Sequence, residues 1–391
     1  MTDAVTLPKR RDYCDEKGRE FFFDNAKFIL IFFVVLAHAI SPLKTGNVYL
    51  TFLWRILNVM HMPCLIFISG YFAKRYIRRD GINVQRPVTY IILYLAAQLS
   101  VGAFEFLVLK NTVAPSIFSA RSSLWFLQCL IWWYLLLPVL DRFKPKHVMI
   151  FVIALGLVAG YDSKINNFLA FSRMLAHLPF FMAGYYMTRE NIGRLFTAKA
   201  RLLSIPALLI PAGGLVLLRD VKIDKVIVCS YNFWDIPGLV SKVPFALWWG
   251  ARAWFYVSAA LLCFAFLVWV PRTKNIFTRF GSRTLQVYIL HRFLYLADLE
   301  YKWYEPFKST WGILAMIGIA AACTIILSLK PFSIPFDALQ SIKIKKLLKP
   351  ADVPQPAAAA VVTDGSAGDA KIAKTPAGSV EDAATQADKK Q

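Results

Sequence analysis

Apolar runs approaching 20 residues, each closed by charged or turn residues, recur from residue 20 to residue 329 of this 391-residue chain. A helix of about 20 residues spans the roughly 30 Å hydrocarbon core of a bilayer, where backbone polar groups are satisfied only within helices or closed barrels. The runs are continuous and do not alternate, so they predict an all-α, polytopic membrane protein. Ten spans are expected, at 20–41, 52–72, 88–109, 124–140, 147–161, 171–187, 202–218, 245–270, 283–297 and 311–329. Composition agrees: with 57% hydrophobic and 18% charged residues, a water-soluble enzyme is excluded. The net charge of +21 falls in short clusters between the runs and not on one stripe, so the bilayer is the expected partner and nucleic acid is not.

Basic residues are retained on the cytoplasmic side of a membrane, which makes the connections informative. The amino-terminal tail holds Lys9, Arg10, Arg11, Lys17 and Arg19, and the second connection Lys74, Arg75, Arg78, Arg79 and Arg86. The fourth, sixth and eighth connections are also basic, whereas the alternate ones are poorer in Lys and Arg. Both termini are therefore expected in the cytoplasm. The expected organisation is a tail at 1–19, a membrane domain at 20–330 and a cytoplasmic tail at 331–391. From about residue 350 that tail has almost no large apolar residue and is expected to be disordered. Lys9 to Ala39 loosely imitates a signal peptide, but Asp24 and Lys27 flank its apolar core and favour a retained span. The six cysteines show neither a CxxC nor a paired spacing, so no zinc site or disulfide framework is expected.

Ionisable residues inside spans carry most of the functional information, because each costs about 2.5–3.5 kcal/mol at a span centre on insertion scales. Lys27 and His38 are eleven residues apart on the first span, which leaves them about 20° apart around the helix and about 16 Å apart along it. With Asp24 beside Lys27, they read as one wall of a polar passage crossing the membrane. The second span adds Arg55 and His61, and the sixth adds Arg173 and His177. Each of these two histidines precedes a proline by two residues, at Pro63 and Pro179, and an apolar stretch then leads to Gly70-Tyr71 or Gly184-Tyr185. Proline frees a carbonyl and bends a helix, so two such kinks beside histidines suggest a wet cavity, although either histidine alone could bond a neighbouring helix. Trp125 and Gln128 open the fourth span and His291-Arg292 lies within the ninth. Flat aromatic faces beside cations suit a sugar, and an interfacial aromatic belt has the same composition.

Several short motifs, in order along the chain, resemble membrane acyltransferase family 3, and in particular its fucose 4-O-acetylase-like branch. They are Phe23-Asp24-Asn25-Ala26-Lys27 through Val34-Val35-Leu36-Ala37-His38; His61-Met62-Pro63 through Gly70-Tyr71; Leu124-Trp125-Phe126-Leu127; Leu178-Pro179-Phe180-Phe181 through Gly184-Tyr185; and Gly281-Ser282 through Tyr288-Ile289-Leu290-His291. The resemblance covers about residues 20 to 330. It implies an enzyme that moves an acyl group, commonly acetyl, from cytoplasmic acyl-CoA to a hydroxyl of an extracytoplasmic carbohydrate or glycan. It also implies residence in a bacterial cytoplasmic membrane and no metal. The family's hallmark is an arginine, ten residues, then a histidine; here Lys27 stands in the arginine's place, a point charge without the planar fork.

On that resemblance Lys27 and Arg75 are expected at the CoA phosphates, with Asp24 holding Lys27. His38 is expected to act on the acceptor hydroxyl as a general base or to take the acyl group itself. His61 and Arg55 are expected to steady the oxyanion, and Arg55, Trp125, Gln128, Arg173, His177 and His291 to contact substrate. The outer arginines Arg55, Arg121, Arg173 and Arg252 suit an anionic acceptor or acyl group, and equally suit helix-end anchoring. The rival reading is a glycan-precursor transporter using the intramembrane histidines and aspartate as a proton relay.

Overall fold

A computed structural model describes residues 20–78, 81–111, 116–219 and 221–342. Arg79, the tail at 1–19 with Cys14, and the chain beyond 342 lie outside the described residues. Among the described residues the regular secondary structure is helical, apart from one two-stranded hairpin that pairs Ile77–Arg78 with Gly81–Ile82.

The first six helices are α1 (Phe21–Ile40), α2 (Val48–Ala73), α3 (Gln85–Leu107), α4 (Trp125–Leu140), α5 (Pro145–Val158) and α6 (Phe171–Tyr186). After them come α7 (Arg189–Arg194), α8 (Ala198–Leu217), α9 (Asp224–Val228) and α10 (Pro237–Lys242). The last four are α11 (Trp249–Trp269), α12 (Thr284–Tyr301), α13 (Thr310–Leu327) and α14 (Lys330–Ser341). Every one of the ten expected intervals is occupied by a helix. Among the described residues, six helical stretches are long and apolar enough to cross a membrane: α1, α2, α3, α8, residues 245–269 with α11, and α13. The α4 and α5 helices are shorter and apolar. Helix α14 lies past the last expected span and packs on α3 and α12.

The protein is thus an all-α integral membrane protein. Its helices sort by what surrounds them. In α1, 67% of the apolar window is buried, against 22% in α13. Exposed leucines and isoleucines along α8, such as Leu209, Ile210 and Leu217, form the kind of surface that lipid covers.

The sequence echo between the second and sixth spans has a packing cause. Helix α2 makes its most extensive contact with α6. A methyl group added at Gly70 would overlap the Phe181 carbonyl, and one added at Gly184 would overlap the Phe67 carbonyl. The two glycines therefore form a reciprocal close crossing, the way small residues bring membrane helices together without a hydrophobic drive. Gly281 does the same for α1, lying against the Asp24 backbone. Asn25, fully buried, fastens that end: its amide donates to the carbonyls of Pro271 (2.8 Å) and Thr273 (3.0 Å) and accepts from the Thr278 hydroxyl (2.7 Å).

Candidate active site

The last turns of α1, the first half of α2, the starts of α4 and α6 and one face of α12 surround a polar cavity of about 400 Å³, with the end of α9 and the residues just after it closing its wall. His38, His61, Trp125, Arg173 and His177 line it together, along with Ser41, Trp54, Asn58, Tyr231, Tyr288 and Tyr295. Five of the residues singled out in the sequence thus converge from four helices. Arg173 lies over the Trp125 ring, 4.9 Å from its centroid, and the His177 ring is 5.2 Å from the same tryptophan. This is an aromatic floor beside a cation and an imidazole.

The buried histidines are held in a common way. Nδ1 of His61 is 2.5 Å from the Leu57 carbonyl, Nδ1 of His177 is 2.9 Å from that of Arg173, and Nδ1 of His291 is 2.9 Å from that of Val287. A carbonyl only accepts, so each neutral ring carries its proton on Nδ1 and keeps Nε2 as an acceptor. A neutral Nε2 acceptor receives a substrate hydroxyl well and donates nothing to an oxyanion. His38 differs from the other three, being half-buried, with its ring between those of His291 (5.3 Å) and Tyr295 (4.8 Å).

His38 also borders a second cavity of about 290 Å³, an apolar one between α1, α12 and α13 that includes Ala39, His291, Tyr295, Met316 and Ala320. His291 belongs to this side. Its Nε2 is buried and has no hydrogen-bond partner among the described residues.

Other expected site residues are placed elsewhere. Arg55 is bound to protein on every side: Nε donates to Asp224 (2.8 Å), and the terminal nitrogens donate to the carbonyls of Leu218 (3.0 Å), Arg219 (3.1 Å) and Val221 (2.8 Å). Asp224 also receives Lys44 at 2.6 Å. Burial works to raise the Asp224 carboxyl, and the hydrogen bonds and charges of Lys44 and Arg55 outweigh it, holding the group below the ordinary carboxylate value. Arg55 therefore fastens the 218–224 segment that leads into the cavity wall. Gln128 donates to the Phe118 carbonyl at 2.9 Å and steadies the approach to α4. Arg121, one of the outer arginines, is paired with Glu105.

Asp24, Lys27 and Arg75 gather at the opposite end of α1. Lys27 pairs with Asp24 at 2.9 Å and lies 5.7 Å from the Phe72 ring, while Arg75 is exposed just past the end of α2. The charged pair and the cavity share a helix. On α1 the cavity reaches Val34; one turn further, Leu30 and Ile31 are 0% and 2% exposed within packed apolar clusters.

Three contributors to the lining were not singled out in the sequence, and only one of them, the segment at 227–231, carried no signal there. The segment from Ile227 to Tyr231 has no periodicity, and its Cys229 adopts φ +54°, a left-handed conformation costing about 1 kcal/mol or more in a non-glycine residue. Ser172 holds it by donating to the Cys229 carbonyl at 2.8 Å. Tyr288 and Tyr295, seven residues apart on one face of α12, were the detectable pair.

A helical membrane protein with a histidine- and arginine-lined cavity in its interior belongs to the class in which intramembrane polar groups serve function. The family model for the acyltransferase domain of family 3 matches residues 20–329, and the chain belongs to that family of membrane acyltransferases. The match runs from α1 to α13 and includes the lining residues of both cavities. No curated protein and no solved structure matches the chain.

Proposed function

We propose that the protein transfers an acyl group, in the simplest case acetyl, from cytoplasmic acyl-CoA to a hydroxyl of a carbohydrate or glycan on the far side of a bacterial cytoplasmic membrane, with both termini in the cytoplasm. The observation that carries this reading is the position of His38: half-buried at the meeting of a polar and an apolar cavity, on the same helix as the Lys27–Asp24 pair. A sugar fits the polar side, where Trp125 offers a flat face and Nε2 of His61 and His177 are acceptors for hydroxyls. The acyl thioester is brought to His38.

His38 takes the proton of the acceptor hydroxyl as its oxygen attacks the thioester carbonyl; the C–S bond breaks and the thiol of CoA leaves with that proton. The alternative order, acyl transfer to the imidazole first, uses the same residue. The Tyr288 hydroxyl, which lines the cavity beside the Phe126 backbone, is the donor we assign to the developing oxyanion, in place of His61 and Arg55. Lys27 binds a CoA phosphate as a point charge, Asp24 positions it, and Arg75 adds a second cation. No metal takes part in this scheme. In this scheme the pantetheine arm passes the tightly packed Leu30 and Ile31 on its way from Lys27 to His38.

The test is directional. Proteoliposomes loaded with labelled acetyl-CoA and bathed in an oligosaccharide acceptor are expected to release labelled ester outside, and Lys27→Ala to raise the KM for the donor about tenfold or more, as expected for a lost charge-assisted contact. Label that stays on CoA under all conditions would refute the reading.

A further inference from the structure

We infer that the substrate entering the polar cavity carries a negative charge, a carboxylate or a phosphate, received by Arg173, Arg252 and Arg292. This rests on the acyl-transfer reading and adds the chemical class of what is bound.

Tyr288, Arg292 and Tyr295 stand at i, i+4 and i+7 of α12 and share a face. Both tyrosines line the polar cavity, so Arg292 stands between two lining residues, with its guanidinium 5.0 Å from the Tyr295 ring. It is 5% exposed, and among the described residues its Nε and Nη1 have no hydrogen-bond partner. On α11, Arg252 repeats the pattern: it is 3% exposed, the same two nitrogens have no hydrogen-bond partner among the described residues, and the guanidinium lies 5.7 Å from the Phe233 ring. Its side chain also hydrogen-bonds Cys229, whose neighbours Val228 and Ser230 line the cavity. Arg173 lines the cavity directly, and its Nε donates to the Val228 carbonyl at 3.2 Å.

Against these three cations, none of the lining residues of the polar cavity is an Asp or Glu. Asp224, on the helix that leads into the wall, is already engaged by Lys44 and Arg55. Asp298 borders the apolar cavity. Arginine does not shed its proton in proteins, and a buried cation without a counter-charge is strongly disfavoured. A planar guanidinium with free Nε and Nη1 matches a carboxylate or phosphate through two parallel hydrogen bonds. The geometry thus points to an anion that arrives with the substrate, carried either on the acyl group, as in a dicarboxylic acyl thioester, or on the acceptor, as in an acidic sugar.

Calorimetric binding to the full chain in lipid nanodiscs separates the two sources. One arm compares succinyl-CoA with acetyl-CoA; the other compares a glucuronate-containing disaccharide with its glucose counterpart. The charged member of one pair is expected to bind about tenfold tighter or more, the worth of one charge-assisted hydrogen bond. Arg292→Gln and Arg252→Gln are each expected to remove that advantage while leaving the melting temperature unchanged or raised, since each removes a buried cation without a counter-charge. The inference is overturned if neither pair is distinguished by charge, or if the substitutions lower the melting temperature and weaken charged and neutral members alike, as structural arginines would. Acyl transfer assayed in the same samples keeps the two readings apart. Charge-selective binding without transfer overturns the enzymatic reading alone, and transfer without charge selectivity overturns this one alone.

Discussion

Replacing Arg55 with Met decides between a substrate-binding arginine and an architectural one. The guanidinium makes three hydrogen bonds to carbonyls and one to Asp224. Each carbonyl bond has a charged donor and is worth about 1.5 kcal/mol at the low end of that class. The Asp224 bond is worth less than a buried pair, because the carboxylate is 35% exposed and keeps Lys44 at 2.6 Å. Methionine recovers part of the packing along the stem. The net loss is about 2–4 kcal/mol, within the range for breaking a partly buried polar network. Thermal unfolding in detergent, followed by tryptophan fluorescence, is expected to show a clearly lowered midpoint. Transfer activity below that midpoint should fall mainly through a raised acceptor KM, since the 218–224 segment leads into the Ile227–Tyr231 wall. An Arg55→Met protein with an unchanged midpoint and abolished turnover would refute this reasoning and return Arg55 to the substrate.

Three more outcomes follow from the same geometry. Gly184→Val drives a side chain into the Phe67 carbonyl, so the α2–α6 crossing must open; a loss of about 1–3 kcal/mol or more, typical of overpacking, is expected as a lower melting temperature and reduced yield, and a wild-type midpoint would contradict the crossing. Asp224 has a lowered folded-state value, so its stabilising effect is present above the unfolded value near 4 and is lost as pH falls through the folded one; Asp224→Asn is expected to be less stable than wild type at neutral pH and to converge with it in acid, and a constant gap would contradict the pairing. Trp125→Ala removes the floor beneath Arg173 and His177, and a rise of about tenfold in acceptor KM is expected from the lost stacking and cation–π contact, with donor KM little changed.

The helices were legible because a bilayer leaves little choice: a continuous apolar run of sufficient length is a helix, and all ten intervals contain one. Histidines 38, 61 and 177 were legible for a related reason, since a titratable ring within an apolar run calls for a polar surrounding. What a helical face meets was not legible. Lys27 and His38 do share α1, yet alignment on one helix carries no information about Leu30 and Ile31 packing against the neighbours between them. Arg55 reads in sequence as an outer cation available to a ligand. Its partners lie more than 160 positions away, in a loop whose carbonyls have no sequence signature. The repeated proline–glycine pattern of α2 and α6 looked like a slight echo and is a reciprocal helix contact, visible only once both carbonyl neighbours are in place.

The central claim is that an acyl group changes partners at the His38 imidazole. Its most direct measurement is release of free CoA thiol from acetyl-CoA by the purified protein in nanodiscs with an oligosaccharide acceptor, comparing wild type with His38→Gln, a polar replacement that cannot take up the proton. Loss of a general base is expected to slow release by about 10²–10⁴-fold at unchanged melting temperature. Release at the wild-type rate would contradict the account.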